Sequence, residues 1–413
     1  MGRPRRRRPQ LATVLLATLV RGPAAWSAQD AAPPPVTLEQ SLSEAREKNP
    51  TLAAARQQGA VDRAGLGVAR EWPNPEARYE RTNELPREAF GVAQLLELPS
   101  KRARRVAVAR AVLDGGAADL LRVQREVEGE VRQAFFKLAD AQRRSRLAAD
   151  LRHIAARART TAAARFDAGD VPRLDVLQAD LALLQAENEA TAQEGRQRAA
   201  AAALNVLIGR DVSAGTVVRD EVDAAALPEL EVAVADALAH NAGLLVLERQ
   251  LAQAQARASL ARAERWPDPT VEGTLTHHAE PEFTWGWRAA ASVAVPLFTT
   301  HGAQVRVEEA TAALVRGQRE ALERRLRADV AAALAHAAAQ RQVYLRYRDE
   351  ILPKSREVEA MAQESYESGQ TALPALLQAL QAAREVMTQA LAAGSEYESA
   401  LADLAQATTV GPK

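Results

Sequence analysis

The sequence predicts a mainly α-helical protein with a small β part, formed by two copies of one module. Three observations indicate this fold class. Long stretches lack proline and repeat apolar residues every seven positions, as helices in a supercoil do. Short segments alternate apolar and polar residues, as β-strands do. Several motifs recur about 200 residues apart, which indicates an internal duplication.

Composition restricts the class of protein. The 413 residues include 53 basic and 53 acidic side chains, so the formal net charge is zero and nucleic acid is not an expected partner. The chain has no cysteine, which excludes disulfides, thiolate metal sites, a cysteine nucleophile and a lipoprotein anchor. Aromatic residues make up only 4% and alanine is abundant, a mixture that favours long, closely packed helices.

Residues 1–27 have the pattern of a signal peptide. A basic arginine-rich start precedes an apolar run at 11–20, which is too short to cross a bilayer as a helix. A disordered basic arm is the alternative. No later stretch approaches the roughly 18 apolar residues of a membrane helix. We therefore expect an exported protein that is periplasmic, secreted or an outer-membrane β-barrel.

The duplication sets the domain organisation. The Trp-Pro-x-Pro motif at 72–75 returns at 266–269, and Phe-Asp-Ala-Gly at 166–169 returns as Tyr-Glu-Ser-Gly at 366–369. Each copy has a helix of about 30 residues, a strand pair, a very long helix, a glycine turn and a second long helix. The copies are placed at 38–220 and 232–405.

Between Lys101 and Arg165 there is no proline, and a strict seven-residue apolar period implies a left-handed supercoil with a continuous seam. At 1.5 Å per residue, about 65 residues make a rod of roughly 100 Å that has to pack on other helices. The seam positions are Val106, Leu113, Leu120, Val127, Ala134, Ala141, Ala148, Ala155 and Ala162.

The return helices complete two antiparallel hairpins. Gly169 and Gly369 suit left-handed helix C-termini at the turns, and Pro353 is the one interruption of the second rod. The long helices are expected at about 101–166, 172–207, 302–366 and 372–405. The seam is expected to continue on the first return helix through Leu174, Leu177, Leu181 and Leu184.

The strand pairs are expected at about 73–99 and 267–297. In the second pair, Phe283, Trp285 and Trp287 begin an apolar face that alternates with small or polar residues. This pattern is typical of transmembrane β-strands, with aromatic residues at the membrane interface. The alternative is a soluble hairpin that packs its apolar face on a core.

Four strands cannot close a barrel, for which about eight are the practical minimum. An open sheet edge in lipid leaves backbone groups unsatisfied, at several kcal/mol each. If the strands span a membrane, the barrel has to be shared between chains. Three chains would give a trimeric, twelve-stranded transmembrane β-barrel with a water-filled lumen.

Together these features resemble the TolC-like outer-membrane efflux family, over roughly 38–405. The resemblance is carried by the duplication, by Pro-Asn-Pro at 73–75, by Leu-Pro-Ser-Lys-Arg at 98–102 and by Arg-Phe-x-x-Gly-x-x-x-x-Leu-Asp-Val-Leu-x-Ala at 165–179. It implies a homotrimer with its β-barrel in the outer membrane and a twelve-helix α-barrel in the periplasm. It also implies a periplasmic adaptor and an inner-membrane pump, which we expect to be of the RND type.

The resemblance places adaptor docking and gating at the helical turns. Relatives often carry acidic residues in the second turn, where Ala375 and Gln378 stand here. Asp175 is either a gate charge or a first-turn charge that complements the helix dipole. The residues carried over are Arg165, Gly169, Asp170, Leu174, Asp175, Gly369, Leu373 and Leu376.

The Trp-Pro-Asn-Pro and Pro-Ser-Lys-Arg-Ala-Arg-Arg stretches are closest to the heavy-metal branch, the CzcC-like and CusC-like ducts. The expected function is passive conduction of heavy-metal cations. Drug efflux and type I protein secretion are alternatives on the same fold, and a soluble periplasmic coiled-coil scaffold is the alternative from another class.

No catalytic arrangement stands out among the six scattered histidines, so we expect neither an enzyme nor a cofactor. His277 and His278 are adjacent, and on a regular strand they point to opposite faces and cannot bind one metal ion together. No metal site is therefore expected. A metal-efflux duct needs no ligand of its own, because the pump has already selected the ion.

Overall fold

The computed structural model describes residues 35–219, 226–298 and 300–409. The predicted signal peptide at 1–27 lies outside the described residues. The described part is mostly helical, with four strands in one antiparallel sheet. The predicted fold class, mainly α with a small β part, is confirmed.

The first copy of the module begins with two helices rather than one. Thr37 caps the first helix in a capping box with Gln40, and Asn49 ends that helix and caps the next, which starts at Pro50. The elements of this copy are α1 (Leu38–Lys48), α2 (Pro50–Arg70), β1 (Glu76–Arg81), β2 (Glu88–Leu95), α3 (Pro99–Asp167) and α4 (Arg173–Ile208).

The second copy repeats this order. Asn241 caps the second helix through its side chain, as Asn49 does in the first copy, so the predicted helix of about 30 residues is broken at an asparagine in both. Its elements are α5 (Leu230–His240), α6 (Ala242–Ala263), β3 (Pro269–Ala279), β4 (Phe283–Val293), α7 (Gly302–Arg346), a π-helical turn (Tyr347–Ile351), α8 (Leu352–Glu367) and α9 (Leu373–Thr409).

Among the described residues, one helical stretch, 230–263, is apolar and long enough to cross a membrane by composition and length, with a mean hydropathy of 1.5 over its most apolar 18 residues. The expectation that no such stretch exists was therefore wrong. Asn241 divides the stretch into helices of 11 and 22 residues, and the longer one carries four charged side chains. Core helices of soluble proteins pass the same test, so the stretch by itself does not indicate a membrane helix.

Helix α3 has 69 residues, about 100 Å at 1.5 Å per residue. It starts at Pro99, two residues before the expected position, because the fixed φ and missing N–H of proline suit the first helical position. All nine seam positions are buried or half-buried. The largest apolar cluster joins α3 to α1, α2 and α4 through buried residues that include Leu42, Leu52, Val131, Leu138 and Leu204.

The second rod contains a π-helical turn immediately before Pro353. In a regular α-helix, proline offers no N–H and its ring clashes with the carbonyl four residues earlier. For Pro353 that carbonyl belongs to Asp349, which lies within the π-helical turn. A π turn accommodates this clash without ending the helix. The interruption expected at Pro353 is therefore a local widening of a continuous rod.

The sheet has the order β1-β2-β3-β4, and its central β2–β3 pair joins the two copies. Strand β1 occupies one edge and β4 the other. One row across all four strands consists of Tyr79, Phe90, Leu275 and Trp287. The next row, on the opposite face, consists of Arg78, Gly91, Thr274 and Arg288. The alternation seen in the sequence thus produces one apolar and one polar face.

Candidate functional site

The apolar face of the sheet is uncovered in the chain. Trp285 and Trp287 are 61% and 80% exposed, and Phe283, Tyr79 and Leu275 are also exposed. The soluble-hairpin alternative requires this face to pack on a core of the same chain, which the described residues do not provide. An apolar face of this kind needs lipid or another protein surface against it.

The polar face carries charged and hydroxyl groups. Arg78 Nη2 lies 3.7 Å from Glu76 Oε2, and the Thr274 hydroxyl donates to Glu272 Oε1 at 3.0 Å. Arg288 stands in the same row as Arg78. Such a face is stable against water, so the two faces of the sheet suit two different media.

The edges of the sheet are open within the part of the chain that the structure describes. Strand β1 pairs only with β2, and β4 pairs only with β3. An unpaired edge presents a row of backbone N–H and C=O groups that can bind another strand. In hydrocarbon these groups would have to be paired, because each unsatisfied group costs several kcal/mol.

Two of the motifs that carry the family resemblance, Trp-Pro-x-Pro and Leu-Pro-Ser-Lys-Arg, meet at the junction between sheet and helices. The guanidinium carbon of Arg102 lies 4.5 Å from the centre of the Trp72 ring. Lys101 Nζ lies 2.8 Å from Asp268 Oδ2, and the Leu98 N–H donates to Asp268 Oδ1 at 2.9 Å. The base of the sheet is thereby fixed to the start of α3, and residues of both copies contribute.

The leucines of α4 are exposed in this chain. The residues of α4 that are buried within this chain include Ala179, Ala190, Ala201 and Leu204. Within this chain the small alanines, and not the leucines, allow the close approach to α3. The predicted leucine seam stays a prediction for a contact with another chain. The apolar stripe left exposed consists of Leu174, Leu177, Leu181 and Leu184.

The two glycine turns have the same hydrogen-bond geometry. Gly169 has φ 82°, its N–H donates to the Phe166 carbonyl at 2.9 Å, and the Asp170 N–H donates to the Arg165 carbonyl at 2.8 Å. Gly369 has φ 77° and sits in the equivalent pair of bonds. Both turns are Schellman motifs, in which glycine avoids the penalty of the left-handed conformation.

The core behind these turns joins the two hairpins. Its buried residues are Ala158, Ala162, Ala179, Tyr366, Leu373 and Leu376. Leu373 is 0% and Leu376 is 3% exposed, so neither side chain can contact an adaptor in this conformation. Both side chains pack in the core that joins the two turns, and their expected part in docking and gating stays a prediction.

Charged residues flank the same core. The guanidinium carbon of Arg165 lies 5.3 Å from the centre of the Tyr366 ring. Burial raises the pKa of the Tyr366 phenol, the Arg165 charge opposes that rise and the Asp175 charge adds to it. Arg165 and Asp175 therefore both act on one buried ring. Gly169, Asp170 and Leu174 are the predicted tip residues of the first turn that are exposed.

A buried carboxylate holds α1 to α3. Glu128 is 1% exposed and accepts from Arg46 at 2.8 Å, Arg125 at 2.9 Å and Gln124 at 2.9 Å. Burial by itself would raise the pKa of Glu128, but these hydrogen bonds lower it below the usual range. The carboxylate stays ionised and fixes the first copy's short helix on the long one.

His277 and His278 do not point to opposite faces. His278 has φ 59°, a left-handed conformation that breaks the strand alternation, and the two rings lie 3.6 Å apart between centres. Both rings approach Glu88. The expectation that these histidines cannot act together was wrong, because it assumed a regular strand to the end of β3.

Comparison with known proteins confirms the resemblance. Residues 41–210 match the family described as outer membrane efflux protein. The chain is 29% identical over 271 residues to the cobalt-zinc-cadmium resistance protein CzcC of Cupriavidus metallidurans, which covers 64% of this chain. The matched region spans 63% of that relative, less than two thirds of its length. The matched family comprises efflux channels and not enzymes, as expected.

Solved structures share the fold. A membrane protein from Pseudomonas aeruginosa has a TM-score of 0.74 at 19% identity, with 91% of this chain and 90% of that chain covered. CusC, described as forming a transmembrane channel, has a TM-score of 0.71 at 15% identity, with 91% and 92% covered. At these identities the likeness concerns the fold.

Proposed function

We propose that this chain, which matches the outer membrane efflux family over 41–210, is the exit duct of a tripartite efflux system. It would conduct substrate passively from a periplasmic adaptor and an inner-membrane pump to the outside. The observation that carries the proposal is the open four-stranded sheet with an uncovered apolar face and a polar opposite face.

Assembly follows from the sheet edges. Neighbouring strands alternate in direction along β1-β2-β3-β4, so β4 of one chain runs antiparallel to β1 of the next. Repetition closes a barrel in which every edge is paired. Three chains contribute twelve strands, which satisfies the even strand number and the requirement for closure in lipid.

The helices support the same assembly. The exposed leucines of α4 form an apolar stripe close to the tip of the first hairpin. A neighbouring chain in a ring would cover such a stripe, whereas a solitary chain leaves it in water. We therefore assign this stripe to the contact between sister chains in a periplasmic α-barrel.

The orientation follows from the connectivity. The hairpin connections at 82–87 and 280–282 lie at the end of the sheet away from the helices, and the turns at Gly169 and Gly369 lie at the far ends of the rods. With the sheet in the outer membrane, the rods extend into the periplasm. The exposed first turn, with Gly169 and Asp170, then faces an adaptor.

The transported class is heavy-metal cations. This part of the proposal rests on the similarity to a cobalt-zinc-cadmium resistance protein. It also rests on the motifs at 72–75 and 99–105, which resemble those of the heavy-metal branch of the family. Deleting the gene and measuring tolerance to zinc, cobalt, cadmium, copper and silver tests it. Unchanged tolerance to every one of these metals would rule out this class and leave drug or protein export.

The assembly itself is tested by disulfide cross-linking, for which the absence of native cysteine is an advantage. Ala77→Cys on β1 combined with Ala289→Cys or Ala291→Cys on β4 should give a trimer ladder on non-reducing gels of outer-membrane fractions. Each single substitution is the matched control and should give no trimer. Recovery of the chain as a monomer in the soluble fraction would instead support the coiled-coil scaffold.

A further inference from the structure

Three ligand-type side chains converge at the end of the sheet away from the helices. Glu88 is the first residue of β2, and His277 and His278 stand near the end of β3. Nδ1 of each histidine lies 3.5 Å from the same oxygen, Glu88 Oε2. The three ligand atoms all lie within 4.8 Å of one another.

The backbone brings these groups together from two sides. Glu88 is the register partner of His277 across β2 and β3, so their side chains share one face. The left-handed conformation of His278 turns the next side chain toward the same carboxylate, and the Arg87 N–H donates to the His278 carbonyl at 3.2 Å. Unfavourable backbone conformations of non-glycine residues concentrate at functional sites.

We propose that Glu88, His277 and His278 bind one divalent transition-metal ion of the zinc type. Two imidazoles and one carboxylate form a ligand set that zinc favours, while calcium and magnesium prefer sites made of oxygen. With bonds of about 2.0–2.1 Å, the edge of a tetrahedron is about 3.4 Å. The two separations of 3.5 Å between a histidine Nδ1 and Glu88 Oε2 fit that edge, the two histidine nitrogens lie within 4.8 Å of each other, and the fourth position would be left to water.

The surroundings leave the ligands available. Arg81 approaches the other oxygen of Glu88, Oε1, at 3.9 Å, so Oε2 remains directed at the histidines. The Trp285 ring lies 4.1 Å from the ring of His277 and covers one side. The side chain of His278 is 49% exposed, which gives an ion a path from solvent.

The ion would act as a clip between the two copies of the module. It would connect β2 of the first copy to β3 of the second, beyond the row of Phe90 and Leu275. Glu88 and His277 lie on the apolar face and not on the polar one. The site is formed within one chain and is separate from the conduction path of the proposed duct, so neither proposal requires the other.

Calorimetric titration with zinc chloride tests the site, with the full chain in detergent, no polyhistidine tag and prior chelator treatment. We expect one saturable zinc site per chain. His277→Ala with His278→Ala should abolish it, and Glu88→Gln should weaken it by about tenfold or more because a carboxamide is a poor zinc ligand. The matched control is His301→Ala, since that histidine faces a single carboxylate, Glu264, at 3.8 Å.

Two outcomes would overturn the proposal: no saturable zinc binding by the unaltered chain, or unchanged binding after both histidines are replaced. Calcium that binds as tightly as zinc would overturn the metal class. Thermal unfolding provides a second readout, because zinc should raise the melting temperature of the unaltered chain, raise that of Glu88→Gln less, and leave that of the double histidine variant unchanged. Trimer yield in the same preparations tests the duct separately.

Discussion

The two faces of β4 allow a matched test of the membrane assignment. Ala290 and Ala291 are adjacent and both exposed, but Ala291 pairs with Val271 on the face of Trp287 and Ala290 pairs with Glu272 on the polar face. Ala291→Arg therefore places a charge against lipid in the proposed barrel. Ala290→Arg places the same charge against water.

The magnitude follows from the strand geometry. A strand rises about 3.4 Å per residue, or about 2.6 Å along the membrane normal at a tilt of about 40°. Ala291 is four residues beyond Trp287, so it lies about 10 Å deeper in the membrane than this interface tryptophan. The apolar band of a transmembrane barrel is about 25 Å tall, so Ala291 is close to its middle. Arginine at that depth costs about 2–4 kcal/mol per chain, or about 6–12 kcal/mol for three chains.

The assay is the yield of heat-modifiable trimer in outer-membrane fractions after expression at equal levels. Ala291→Arg should reduce that yield strongly, whereas Ala290→Arg should retain it. Equal yields from the two variants, whether high or low, would refute the reasoning, because they would show that the faces of β4 do not meet different media.

Three further predictions concern the helices. Leu177→Ala with Leu181→Ala should weaken the trimer by about 1 kcal/mol per leucine, since these residues are 54% and 57% exposed in the single chain and only that fraction is left for a neighbouring chain to bury. The helical content of the chain should be unchanged by circular dichroism. Glu128→Ala should lower the free energy of unfolding by about 2 kcal/mol. Because the pKa of Glu128 is lower in the folded than in the unfolded chain, its stabilising effect is present above the unfolded pKa and is lost as pH falls through the folded pKa. Unfolding titrations of the variant should therefore show a weaker dependence on acid. Gly169→Ala should destabilise the first turn by about 1 kcal/mol, measured as a lower melting temperature, and Gly369→Ala should match it because the two turns have the same geometry.

The sequence predicted the elements that follow from simple periodicity. The seven-residue repeat of α3 and the alternation of β4 each reflect which side of a backbone meets apolar surroundings, and both hold in the structure. The glycine turns were predictable for the same reason, because a left-handed residue at a helix end strongly favours glycine. These features depend on local geometry alone.

Features that depend on which surfaces meet were not predictable. The apolar period of α4 does not reveal whether alanine or leucine faces α3, so the exposure of Leu177 required the packed structure. Leu373 has the type and position of a docking residue, but the neighbouring hairpin buries it. His278 was misjudged because its left-handed backbone depends on the connection that follows β3, for which the sequence carries no clear signal.

The π-helical turn at Tyr347–Ile351 makes the two hairpins of one chain unequal. An additional residue in one turn rotates all later side chains by about 100° relative to an uninterrupted α-helix. Residues of α8 thus present a different side to their neighbours than the equivalent residues of α3 do. The two copies have the same order of elements. Because the rotation before Pro353 changes the direction of all later side chains, the side chains of one copy cannot replace those of the other, even where the elements correspond.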